Sequence, residues 1–311
     1  MMTISTYKQV ANLFTTINKV VVVMGATGTG KSRLAIDLAG IFNGEIINSD
    51  KIQVYKGLDV ITNKVTDEEC RGVPHHLLGI IDHPDEDFTA EDFVRRASLS
   101  AGDIVERGRL PIIAGGSNSF VEALVDDQVF QSKYECCFFW VDVSVPVLHS
   151  IVTKRVDRMV GDGLVAEARE FSGGDYSRGI RRAIGVSEMD EFFKTEQFVE
   201  GVSRAELLKA AIDEIKENTC KLIHRQLEKI FMMGEKLKWR GMHRLDATEA
   251  FLRRNDDVAA EAWQRSVVGP SARILSKFLD IDEDVVDQIG SRSTLTSLPP
   301  HLPSNAALTN K

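Results

Sequence analysis

Cysteine is scarce: four in 311 residues, at Cys70, Cys136, Cys137 and Cys220. None forms a C-x-x-C pair, and no Cys/His zinc spacing occurs, which excludes a disulfide scaffold and argues against a zinc finger. Adjacent thiols inside an apolar run suit a reducing compartment. Long apolar runs are missing too. The longest, near Cys136 to Val143, has strand length and falls short of the roughly 18 residues that cross a bilayer. Cations are in deficit, with 38 Lys+Arg against 46 Asp+Glu and a net charge of -8. A protein that coats duplex nucleic acid carries the opposite balance, although a local basic groove stays open. The first 19 residues contain no Asp or Glu, and they lack a signal peptide's apolar core. A transit-peptide remnant and a frayed extension are both open for them.

What is present is an ordinary globular composition, 43% apolar and 27% charged, with enough length for about two domains. The first half alternates strand and helix signals. Val20–Met24 is a β-branched run ending at glycine, Lys31–Ala39 reads as a helix, and Glu45–Asn48 as a second strand. Thr89 with Asp92 three residues on caps a helix to about Arg107. Leu110–Ala114 is a third strand, stopped by Gly115-Gly116, and Cys136 to Val143 a fourth. Such alternation predicts an α/β fold, a parallel sheet flanked by helices.

The second half is mostly helical. Ser144 and Pro146 open a helix that breaks at Gly161-Asp162-Gly163. Ser203 and Glu206 have capping-box spacing before a long amphipathic stretch towards Met233, and Asp246 and Glu249 repeat that spacing. Met242–Leu245 is a short late strand. Gly269-Pro270 is expected to break the pattern before a last helix over Ala272–Leu279. The expected divisions are an N-terminal extension (1–17), a P-loop core (18–145), a mainly helical region (146–290) and a disordered tail (291–311).

The strongest local signal is Gly25-Ala26-Thr27-Gly28-Thr29-Gly30-Lys31-Ser32. It fits G-x-x-x-x-G-K-[ST] between a β-run and a helix. The glycines let backbone wrap a phosphate, and the helix N-terminus adds N–H donors and partial positive charge. Lys31 can neutralise phosphate oxygens, and the Ser32 hydroxyl can join a Mg²⁺ shell. A P-loop proves only polyphosphate binding. An NTPase switch, a small-molecule kinase and an enzyme with a non-nucleotide polyphosphate all remain open. Asp50 closes the second strand, where its carboxylate sits beside the P-loop. It can accept a proton from a nucleophile there, or simply cap a turn.

Beyond the P-loop stand Asn48-Ser49-Asp50 with Gln53-Val54-Tyr55-Lys56-Gly57-Leu58-Asp59, Thr62-Asn63-Lys64, Val73-Pro74-His75-His76-Leu77-Leu78 and Ala114-Gly115-Gly116-Ser117. Together these motifs resemble the isopentenyltransferases that prenylate N6 of adenine. That family includes tRNA dimethylallyltransferases and adenylate isopentenyltransferases of cytokinin synthesis. The resemblance runs from about Val20 to Asp246. It implies that the P-loop holds the diphosphate of dimethylallyl diphosphate with Mg²⁺, and that Asp50 is the general base. It also implies that Thr27 lies near the donor's bridging oxygen and that Arg155 contacts its diphosphate. Thr62, Lys64, Gly116, Ser117, Arg181, Arg182 and Lys221 fall on the acceptor side, while His75 and His76 read as a structural polar pair.

Only Ser117 to Glu135 separates the Gly-Gly motif from the fourth strand. There is little room for the helical insertion by which the tRNA enzymes grip an anticodon stem. No cysteine follows Cys220, and Cys220 itself stands where those enzymes carry arginine. After Arg225-Gln226 their aromatic residue gives way to Leu227. These departures imply a free adenine nucleotide, with the likeness strongest to the plant-type adenylate enzymes. Lys133, Lys154, Arg178, Arg181, Arg182 and Lys221 supply cations for ADP or ATP over AMP. The expected partners are therefore dimethylallyl diphosphate and ADP or ATP, without membrane or tRNA, in a monomeric plastid or cytoplasmic enzyme. A tRNA dimethylallyltransferase, a nucleotide kinase and a nucleotide-binding regulatory module stay as rivals.

Overall fold

A computed structural model of the chain describes residues 18–199, 201–236, 241–253 and 255–281. The expected N-terminal extension and C-terminal tail lie outside these residues. The core is one six-stranded sheet, all parallel, in the order β3-β2-β4-β1-β5-β6. The strands are β1 (Asn18–Met24), β2 (Gly44–Asn48), β3 (His75–His76), β4 (Leu110–Ala114), β5 (Tyr134–Asp142) and β6 (Met242–Asp246). The principal helices are α1 (Lys31–Phe42), α2 (Ala90–Glu106), α3 (Asn118–Asp126), α4 (Val145–Gly161), α5 (Val202–Lys236), α6 (Asp256–Trp263) and α7 (Gly269–Leu279).

A parallel strand covered on both faces needs apolar residues on both, and β1 meets this with Val20 to Met24 fully buried. Its alternation sorts the core into two layers. Val20, Val22 and Met24 face Phe93, Ala97 and Ile104 of α2. Val21 and Val23 face Leu34 and Leu38 of α1 together with Trp263. Each such buried leucine contributes about 1.5–3 kcal/mol by leaving water. Thr89 forms the expected capping box with Asp92. His76 Nε2 meets Glu45 Oε2 at 2.6 Å, and His75 Nδ1 meets Val73 O at 2.9 Å, so the pair serves the edge of the sheet. Burial alone would push the Glu45 carboxyl up, but hydrogen bonds from Arg107 and His76 hold it at about 2.

Three expectations change, and one expected strand finds an unforeseen partner. The long helix begins at Val202, so Ser203 lies inside its first turn rather than capping it. Asp246 accepts from the Thr248 N–H two residues on at 2.9 Å, a shorter turn than a capping box. Gly269-Pro270 does not break the last helix. A π turn over Gln264–Val268 joins α6 to α7, with Gly269 N–H reaching back to Gln264 O. The wider turn takes up a proline that has no N–H to give. Lastly, β6 pairs with β5 in register from Phe138–Met242 to Asp142–Asp246, so the helical half supplies a strand to the core sheet.

Candidate active site

The loops that leave the carboxyl ends of β1, β2 and β4 converge where an open α/β sheet binds its ligands. Residues 25–30 after β1 curl into a cradle. Thr29 is fully buried and its hydroxyl donates to Ala26 O at 2.9 Å, which fixes the loop from inside. Gly30 precedes α1 with φ +86°, in the left-handed region where a side chain would be strained. No side chain caps α1, so its first N–H groups and positive dipole end are presented to a ligand.

Two long-range contacts pin Thr27. Arg155 on α4 donates from Nη2 to Thr27 Oγ1 at 2.8 Å. Gln226 on α5 accepts the Thr27 N–H at 2.8 Å and donates to Gly116 O at 2.9 Å. The Arg155 Nε is buried without a partner, an open donor of the kind that a phosphate oxygen satisfies. Burial, with Arg158 adding repulsion, pulls the Arg155 pKa down to about 10. Burial likewise pulls Lys31 down to about 8, with Asp50 opposing and Arg155 reinforcing, which sets Lys31 among these charges.

The two carboxylate oxygens of Asp50 have different surroundings. Its Oδ1 accepts from Ile52 N–H at 2.9 Å and Gln53 N–H at 3.3 Å, capping the turn after β2. Its Oδ2 faces Gly116, where a Cβ would stand only 2.7 Å from it and 3.0 Å from Gln226 Nε2. Glycine at 116 therefore keeps a slot open beside the carboxylate. Ser117 helps frame that slot by accepting the Lys51 N–H on Oγ at 2.8 Å.

The remaining acceptor-side residues scatter. The Thr62 hydroxyl donates to Leu58 O at 2.7 Å. The Lys64 ammonium donates to Tyr55 O, Gly57 O and Asp59 Oδ1 at 2.6–2.7 Å, which occupies all three of its N–H groups within its own loop. Arg181 pairs with Asp85 at 2.8 Å, and Arg182 lies 3.9 Å from Asp87. Lys221 pairs with Glu217 at 2.8 Å on an exposed face of α5. Lys133 ends the helix that enters β5, so it stands at the amino edge of the sheet, opposite the cradle. Asp142, which could have mimicked an NTPase metal ligand, instead receives Arg244 Nε at 2.9 Å and Nη2 at 2.6 Å.

Three residues here escaped assignment from sequence. Gln226 carried a signal: the buried stripe of α5 runs Ala211, Ile215, Thr219, Ile223, Gln226, Ile230, and an amide on an apolar stripe needs partners. Arg225 stood with Gln226 in the segment resembling the tRNA enzymes but without a role, and Lys51 carried no signal. The Lys51 pKa is lowered by burial and then by Arg182, with Arg225 adding and Asp50 opposing. Arg182, Arg225 and Asp50 thus all lie within electrostatic reach of Lys51.

A family model described as IPP transferase matches residues 53–132 and 125–230. A relative, "Adenylate isopentenyltransferase 5, chloroplastic" of Arabidopsis thaliana, is 61% identical over 272 residues, covering 86% of this chain and 82% of its own.

The chain belongs to the IPP transferase family.

It is accordingly a prenyltransferase. "Adenylate isopentenyltransferase 7, mitochondrial" of Arabidopsis thaliana is 54% identical, over 84% of this chain and 80% of its own. Among solved structures, a eukaryotic dimethylallyltransferase acting on tRNA superposes with TM-score 0.72 at 22% identity, covering 90% of this chain and 86% of its own. The full-length tRNA isopentenylpyrophosphate transferase of Bacillus halodurans gives TM-score 0.61 at 25% identity, over 89% and 99%. These likenesses agree with the parallel P-loop fold. Among the described residues no helix is long and apolar enough to cross a membrane.

Proposed function

We propose that this enzyme transfers the dimethylallyl group of dimethylallyl diphosphate to N6 of the adenine in ADP or ATP, the opening step of cytokinin synthesis. The observation that carries the reading is the meeting of Thr27, Lys31, Arg155 and Asp50 at one cradle, next to the slot kept by Gly116. The names of relatives such as adenylate isopentenyltransferase 5 support an adenylate acceptor.

In this reading the P-loop N–H groups, Lys31 and the open Nε of Arg155 grip the donor diphosphate. They stabilise the charge that builds as the C1–O bond breaks. The N6 lone pair forms the new bond to C1, and the diphosphate leaves with the electrons of the old one. Asp50 Oδ2 accepts the N6 proton. Its Oδ1 stays tied to the turn, which holds the carboxylate in orientation.

The exposed Ser32 hydroxyl at the first turn of α1 is a hard oxygen donor. The described residues contain no group of three or more His, Cys, Asp or Glu able to hold a metal. One protein oxygen with substrate oxygens and water is the usual Mg²⁺ arrangement beside a phosphate. Mg²⁺ bound there supplies charge neutralisation on the leaving diphosphate.

Lys51, Arg182 and Arg225 favour an acceptor bearing phosphates, and thus ADP or ATP over AMP. Lys64 and Thr62 are left out of the acceptor contacts because their donors are already committed. The stretch between β4 and β5 holds α3 and one further short helix. That stretch holds no separate body to grip tRNA, which favours a free nucleotide. Chloroplast import, as in the name of the 61% identical relative, is part of the proposal.

The test is mass spectrometry of products from dimethylallyl diphosphate, Mg²⁺ and AMP, ADP or ATP, with unmodified tRNA in parallel. N6-prenylated ADP or ATP in excess over AMP product is expected. Prenylated tRNA without nucleotide product would move the assignment to the polymer. ADP formed from ATP without any prenyl donor would point to a kinase.

A further inference from the structure

The IPP transferase match ends at residue 230, yet a side chain from beyond it touches the phosphate cradle. Trp263, fully buried at the end of α6, lies along the first two turns of α1. It meets Gly30, Arg33 and Asp37, whose i, i+3, i+7 spacing makes one helix stripe. At Gly30 the indole leaves no space: a Cβ there would stand 2.8 Å from Cη2 and 3.0 Å from Cζ3. The Arg33 guanidinium lies over the ring, 4.7 Å from its centroid. The indole Nε1–H donates to Asp37 Oδ2 at 2.9 Å, while Asp37 Oδ1 receives Arg71 Nη2 at 2.5 Å. Phe251 closes the edge, with ring centroids 6.3 Å apart at 82°.

We infer that Trp263 is a positioning residue for the donor diphosphate, acting through the backbone at Gly30. Gly30 is the hinge where the loop turns into helix, and Lys31 and Ser32 follow it directly. The indole, with Phe251 behind it, fills the space on the side of Gly30 where a Cβ would stand, and Asp37 anchors the indole to the same helix. The first N–H groups of α1, the Lys31 ammonium and the Ser32 hydroxyl are thereby held at one angle to Thr27 and Arg155. Preorganisation of this kind is expressed as ligand affinity, since the cost of ordering is met before the ligand arrives. The π turn starting at Gln264 belongs to this arrangement, because it lets the chain run on as one helix past Pro270 after delivering the indole.

The inference rests on the P-loop being the diphosphate site, so the probe is Mg²⁺ with inorganic diphosphate, followed by calorimetry on the full chain. Trp263→Phe keeps an aromatic ring but withdraws the part that abuts Gly30 and the Nε1–H bond. It should raise the diphosphate Kd and the donor KM about tenfold, with the ADP KM and kcat within about twofold. Leu275→Ala, in the same buried layer but on α7 away from Gly30, controls for general loosening. It should lower Tm comparably and leave the diphosphate Kd within about twofold of wild type. If Trp263→Phe does not fold, Asp37→Ala removes the anchor while leaving the indole, and a rise of about threefold in Kd is expected. An unchanged Kd in the folded variant, or an equal rise in Leu275→Ala, overturns the positioning role while the P-loop assignment stands. A wild-type enzyme that fails to bind diphosphate overturns both.

Discussion

Arg155 Nη2 and Thr27 Oγ1 are joined by a 2.8 Å hydrogen bond that ties α4 to the P-loop, 128 residues away in sequence. The pair brings a buried cation to the cradle at a cost in stability, seen in the Arg155 pKa lowered to about 10. An apolar residue of similar length removes that cost. Arg155→Met is therefore expected to hold or raise Tm while lowering kcat/KM for the donor about 100-fold or more. A loss of Tm with little change in turnover would show that the bond serves the fold and not the chemistry. Thermal denaturation and donor kinetics on the same preparation make the check.

Gln226 links the same loop to the Gly-Gly turn after β4. Gln226→Leu leaves the Thr27 N–H and the Gly116 C=O without protein partners. The buried Gly116 C=O orphan costs about 1–3 kcal/mol, and the half-buried Thr27 N–H less. A drop in Tm is expected together with a fall in kcat, because both sides of the Asp50 slot lose their brace. Gln226→Glu keeps the acceptor for Thr27 and should recover part of both. Equal losses in the two variants would argue against the bridge.

These contacts also mark where sequence reading reached its limit. Local rules found β1, β4 and the Thr89 cap, because a β-branched run or a two-residue capping pair carries its own cause. The same rules misjudged Pro270, where packing of Ser271 and Leu275 against the core favours a continuous helix and the π turn absorbs the missing donor. They found β6 as a strand but gave no hint that it would pair with β5, a partner about 100 residues earlier. In the site, the placement of Asp50 beside the P-loop was legible because motif and position coincide. The hydrogen bonding of Lys64 within its own loop was not, since its three acceptors are gathered by a turn with left-handed Leu58 and Asn63. Trp263 gave no signal at all, as one tryptophan in a helical stretch looks like ordinary core.

In the proposed reaction Lys31 is expected to make the donor step sensitive to alkali. Its pKa of about 8 in the free enzyme means that it loses its charge as pH rises through that value. An anionic diphosphate binds the protonated form and so restores the proton, which is linkage acting on affinity. Donor KM should be flat below pH 8 and climb towards tenfold per unit above it, at about one proton per diphosphate bound. The ADP KM should not follow. Lys31→Arg keeps its charge across this range, so its KM should lose the alkaline limb whatever its absolute rate. A limb that persists in that variant would assign the titration to another group.

In the proposed reaction the two oxygens of Asp50 divide between turn and chemistry, and substitution should separate the two. Asp50→Asn retains an oxygen for the Ile52 and Gln53 N–H groups, so the turn after β2 and the folding free energy should be preserved to within about 0.5 kcal/mol. The amide has no site for the N6 proton. Turnover should fall about 100- to 10,000-fold, the range over which a positioned general base contributes, while diphosphate affinity changes little. Asp50→Ala loses the turn cap as well and should add a Tm loss to the same kinetic defect. Single-turnover measurement with prenyl donor and ADP distinguishes the two variants. Near-normal turnover in Asp50→Asn would leave Oδ1 as the only working oxygen, make Asp50 a turn-capping residue, and send the search for the base to the other groups facing the Gly116 slot.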